Sequence, residues 1–73
     1  MRTYLAIVTF GEYDDKGFEV LYAGMDFDDC QTSINTYDGR IDNAIITVST
    51  WEKGVEKTEL KERYELRPKW TKI

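Results

Sequence analysis

The side chains in this chain that could do chemistry are mostly carboxylates, and their spacing decides which chemistry is open to them. Asp26, Asp28 and Asp29 begin like a calcium-binding loop. Such a loop needs a glycine at its sixth place and a glutamate at its twelfth. Here those places hold Gln31 and Tyr37. The three aspartates instead suit the start of a helix, where a carboxylate accepts unpaired backbone N–H groups and meets the positive end of the dipole. Asp38, Asp42 and the Asp14–Asp15 pair also fail ligand spacing and read as turn residues. Paired carboxylates can do acid–base work only in a desolvated pocket, and nothing in the pattern supplies one.

Nucleophilic routes close for similar reasons. The chain has no histidine, so no Ser–His or Cys–His couple and no His-based zinc site can form. One cysteine, Cys30, cannot make a CxxC pair. Ser33 and Ser49 lack a G-x-S-x-G setting, and no Gly-rich loop leads into a helix to cradle phosphate. The expectation is a non-enzymatic protein without metal or cofactor.

The elements that position these residues follow from periodicity. Phe27, Cys30, Ile34 and Tyr37 recur at helical steps and share one side of a helix of about eleven residues, capped by Asp26 and closed by Gly39. Its interior of Thr32, Ser33, Asn35 and Thr36 has poor helix propensity, so it must depend on docking. Arg2–Phe10, Phe18–Met25 and Ala44–Trp51 read as strands from their β-branched and aromatic content. Gly11–Gly17 and Asp38–Asn43 are loops. Glu52-Lys53-Gly54 fits a three-residue hairpin loop with Gly54 at positive φ. Val55–Arg67 has helix propensity, yet Thr58, Leu60, Glu62, Tyr64 and Leu66 alternate with charged residues, and the preceding hairpin signal favours a strand. Pro68 ends it. The predicted fold is α+β: a four-stranded antiparallel sheet with one helix on one face, in ββαββ order. Residues 1–67 form the domain and 68–73 a short basic tail.

One helix spans only ~16 Å and cannot cover both faces of such a sheet. Alternation sets Leu5, Ile7, Leu21, Ala23, Ile46 and Val48, with Leu60, beneath the helix. The opposite parity carries Tyr4, Ala6, Val8 and Phe10 with Phe18, Val20 and Tyr22, and adds Ile45 and Trp51. An uncovered face of this kind is a large apolar patch, which soluble monomers seldom tolerate without a purpose. The C-terminal tail through Trp70, a second copy of the chain, or a different protein could cover it. Tyr4, Phe10, Phe18, Tyr22 and Trp51 are the expected anchors for a protein partner or a homodimer.

Composition limits the partners. The chain has 73 residues, enough for one domain, and a net charge of −4. The excess is concentrated in the first 43 residues. Lys57, Lys61, Arg63, Arg67, Lys69 and Lys72 give the end a basic tendency, but glutamates interleave with them. Aromatics on a sheet face resemble a stacking platform for single-stranded nucleic acid, yet an acidic first hairpin opposes that use. The interleaved charges read as guards on an edge strand. A lone cysteine on a core face suits a reducing, cytoplasmic setting. No apolar run reaches the roughly 20 residues of a membrane span, and no signal-peptide pattern opens the chain.

The T-W-E-K-G-V hairpin after an Ile/Val strand, and the A-G-M-D-F-D-D lead into a short helix, resemble small accessory proteins encoded by bacteriophages and prophages. The likeness lies in length, order of elements and style over most of the chain. It implies a module that binds a host protein and blocks or redirects it, and it carries over no functional residue.

Overall fold

A computed structural model describes residues 1–73. The strands are β1 (Arg2–Phe10), β2 (Gly17–Gly24), β3 (Ile45–Glu52), β4 (Val55–Glu56), β5 (Glu62–Leu66) and β6 (Trp70–Lys72), with one helix, α1 (Phe27–Asn35). All strand pairs are antiparallel, in the order β2-β1-β3-β5-β6, and β4 pairs the end of β3. The fold is thus α+β with one helix on an antiparallel sheet, as expected, but the sheet has six strands rather than four.

The additional strands come from the last third of the chain. Lys53 and Gly54 both take positive φ, 53° and 80°, which makes a two-residue turn between the paired Glu52 and Val55, one residue shorter than expected because Glu52 belongs to the ladder. The ladder then stops after two residues, and Thr58–Leu60 form a single 3₁₀ turn. That turn interrupts the segment expected to be one strand from Val55 to Arg67. β5 resumes beside β3, with Tyr64 opposite Ile46. Beyond Pro68 the expected tail turns back as β6 and pairs with β5, Trp70 opposite Leu66.

The helix begins as its sequence dictates. Asp26 Oδ1 accepts from the backbone N–H groups of Asp28 at 2.9 Å and Asp29 at 3.2 Å. Thr32, Ser33 and Thr36 hydroxyls donate to the carbonyls four residues back, which occupies polar groups that would otherwise compete with the helix. Closure differs from expectation. Thr36 ends the helix, and Gly39 does not adopt positive φ. Gly39 instead makes room for the Tyr37 ring, whose hydroxyl donates to the Arg40 carbonyl at 2.9 Å.

Between helix and sheet lies a thin core. Val8, Ile46, Val48, Cys30 and Ile34 are fully buried, joined by Ala6, Ala44 and Tyr64. Fully burying each larger aliphatic contributes about 1.5–3 kcal/mol, so the fold depends on a handful of residues. Ala6 and Cys30 are small and both belong to this core, which suits close packing of α1 on β1 and β2. A short polar network ties α1 to β5 and β6. Gln31 Nε2 donates to the Tyr64 hydroxyl at 2.8 Å, that hydroxyl donates to Glu62 Oε1 at 3.0 Å, and Lys72 Nζ lies 2.9 Å from Glu62 Oε2.

Candidate interaction surface

Register decides which side chains stand on which face. On β1, Ala6 and Val8 are buried against the helix, so Tyr4 and Phe10 share their side, whereas Leu5 and Ile7 point to the reverse. The expectation was the opposite. Both parities of β1 are apolar, so alternation alone cannot orient it, and the larger Leu5 and Ile7 look like the better core residues. A low-lying helix selects Ala6 instead. On β3, Ile46 and Val48 lie under the helix and Ile45 and Trp51 on the reverse, in agreement with the sequence reading.

On β2 the alternation is broken. Ala6 pairs with Tyr22 and Ile7 with Val20, so Leu21 is an extra residue in the ladder. Phe18 and Val20 therefore face the reverse while Tyr22 turns to the helix side. Leu21 packs against the core from this irregularity. Leu60, in its 3₁₀ turn, is half-buried beside Tyr4 and Phe27.

The five expected anchors are thus divided. Tyr4 stacks edge-on against Phe27 with ring centroids 5.2 Å apart. Phe10 packs on the core and carries the Arg40 guanidinium 4.8 Å above its ring. Tyr22 accepts the Asp26 backbone N–H at 2.9 Å through its hydroxyl. These three serve the helix layer. Phe18 and Trp51 remain on the reverse, where Phe18 is 69% exposed.

The reverse face consists of Leu5, Ile7, Ile45 and Trp51 at its centre and corner, Phe18, Val20 and Ala23 along the β2 edge, and Thr3, Thr9, Thr47 and Ser49 between them. Arg63 and Glu65 stand on the same side of β5, opposite Thr47 and Ile45. No segment of the chain crosses this face. Trp70, one of the three coverings the sequence allowed, lies on the helix side, edge-on to Tyr37 with centroids 6.1 Å apart. Sequence reasoning missed Leu5 and Ile7 as surface groups, and placed the charges of Arg63 and Glu65 on an edge strand, whereas β5 lies between β3 and β6. The available signal was Ala6, too small to fill a core unless a helix approaches closely.

The carboxylates that could suggest a chemical site have structural partners. Arg40 bridges Asp15, 2.8 Å away, and Asp42, which ties the loop after β1 to the loop before β3. The same loops are joined by the Gly11 N–H donating to the Asp42 carbonyl at 2.8 Å and Asn43 Nδ2 donating to Glu12 Oε1 at 2.7 Å. The Arg40 hydrogen bond holds the Asp42 carboxyl below the usual carboxylate range, and Arg2 does the same for Glu52. Burial pushes the Cys30 thiol up, with the Glu62 charge adding to the effect. No three His, Cys, Asp or Glu side chains gather as a metal cluster. No helix is long and apolar enough to cross a membrane.

The arrangement defines a class: a small α+β protein with one helix-covered face and one open apolar face. No family model, curated protein or solved structure matches the chain.

Proposed function

We propose that this chain is a non-enzymatic protein-interaction module, of the kind phages and prophages encode to modulate a host protein, and that its reverse sheet face is the binding surface. The observation that carries this reading is the exposure of Phe18 and Val20 beside Ile7, Leu5 and Ile45 on a face that neither α1 nor the C-terminal strand covers. Apolar anchors of this type bury against a complementary surface and exclude water, while charged groups at the margin set orientation and encounter rate. The mechanism is occlusion: the open sheet face laid over a partner's working surface. Arg63 is the only unpaired arginine on that face, too little positive charge to track a phosphate backbone. The buried thiol of Cys30, free of any disulfide, fits work in the reducing cytoplasm.

Affinity capture from host lysate, with wild type beside an Ile7→Lys variant that keeps its circular dichroism, tests the proposal. A protein held by wild type and lost by the variant is the expected result. A partner retained equally by both removes the reverse face from consideration.

A further inference from the structure

The reverse face has a self-complementary pattern, and we propose that its occupant is a second copy of this chain, packed face to face about a two-fold axis. This rests on the reverse face being the docking surface and names what covers it while no host protein is bound.

Charge supplies the first support. Arg2 is paired with Glu52, Arg40 with Asp15 and Asp42, and Arg67 with Glu65. Arg63 alone among the arginines has no carboxylate partner. Two residues along the same strand and on the same face stands Glu65, which receives Arg67 on Oε1 and leaves Oε2 free. A cation and an anion adjacent on one strand are the minimal self-complementary pair, because a two-fold operation exchanges them.

Register supplies the second. Phe18, Thr9, Ile45 and Glu65 form one row across the sheet, and Val20, Ile7, Thr47 and Arg63 form the next. A two-fold axis between two such faces, running across the strands at the level of Val8, Ile46 and Tyr64, lays one row of each copy over the other row of its mate. Phe18 then meets Val20 of the second copy at one end, and Glu65 meets Arg63 of the second copy at the other. Between these ends Ile7 meets the Thr9 methyl and Ile45 the Thr47 methyl, so each charge finds its opposite and the aliphatic groups find methyl-bearing threonines, with no displacement along the strands. Two sheets packed face to face keep their strands within about 30° of alignment, so the central rows meet and the corners diverge.

Sedimentation equilibrium from low micromolar to near-millimolar concentration tests this with three proteins: wild type, Arg63→Glu and Glu65→Arg. Wild type should dimerise. Each charge reversal, which sets like charges opposite each other at both symmetric contacts, should weaken dimerisation by about tenfold or more. An equimolar mixture of the two variants should regain dimers, since every opposed pair is again of unlike sign. A wild type that stays monomeric throughout overturns the proposal, as does a mixture no tighter than either variant alone. The Ile7→Lys variant separates the two readings. A monomeric wild type that still captures a host protein through Ile7 leaves the docking face standing and removes only the second copy. Dimers that persist unchanged in Ile7→Lys place self-association elsewhere.

Discussion

Phe18 and Tyr22, four residues apart on one strand, stand on opposite faces of the sheet. In an unbroken strand they would share a face. The register shift between Val20 and Tyr22 inserts Leu21 into the ladder and reverses the alternation beyond it. Phe18 is thereby left 69% exposed on the open side. Tyr22 reaches the first turn of the helix, where its hydroxyl accepts the Asp26 N–H. One extra residue divides β2 between building the helix layer and furnishing the open surface.

The face assignment is testable at two adjacent positions. Val8 is fully buried, whereas Ile7 is half-buried on the reverse. Val8→Lys places an unpaired charge in the core, which costs several kcal/mol and should unfold a domain whose whole stability is of order 5–10 kcal/mol. Ile7→Lys should fold and lose less than about 1.5 kcal/mol, since its ammonium can reach water. Urea denaturation of both variants checks this, and equal losses would contradict the assignment.

The start of α1 depends on Asp26, which accepts two backbone N–H groups. Asp26→Ala should cost about 1 kcal/mol, and Asp26→Asn only a few tenths, because an amide oxygen also caps. The midpoint of thermal unfolding followed at helix wavelengths measures the difference. An alanine variant as stable as wild type would show that sheet docking alone holds the helix.

Acid should weaken the protein through Asp42 and Glu52. Arg40 and Arg2 hold these carboxyls below the usual carboxylate range. A carboxyl depressed in the folded state contributes stability that is present above its unfolded pKa, about 4, and lost as pH falls through the folded value. Both groups are solvent-exposed ion pairs, so the effect is modest. The thermal midpoint should fall below about pH 4, and an Asp42→Asn, Glu52→Gln double variant should show a shallower fall over the same range. Parallel curves would assign acid sensitivity to other groups.

Cys30 should be chemically silent in the folded protein. It is fully buried, and burial raises its thiol pKa, so little thiolate is present and none is accessible. Labelling by a thiol reagent near pH 8 should proceed only through opening of α1 and accelerate sharply in denaturant. Prompt labelling of native protein would show that the helix lifts readily from the sheet.

Local chemistry was legible from the residues themselves. Asp26 as helix cap, the Cys30–Ile34 face, Gly54 at positive φ in a hairpin, and Ile46 against Ile45 across β3 all depend on neighbours within a few positions. The interruption of Val55–Arg67 was less visible, since a two-residue ladder followed by one 3₁₀ turn leaves the same charged alternation in the chain. Pro68 suggested a stop but not the return of Trp70 to pair with Leu66.

Sequence alone determined that a single capped helix must lie on an antiparallel sheet and that such a helix covers only one face. Helical and strand periods are local properties of the chain, and one short helix cannot shield two sides. Only the tertiary structure decided which residues stand on the open face. Both parities of β1 are apolar, and the orientation of β2 turns on the extra Leu21 opposite Ile7 and Ala6. That choice depends on how closely Cys30 and Ile34 can approach Ala6 and Val8 across the layer, a distance no stretch of chain encodes by itself.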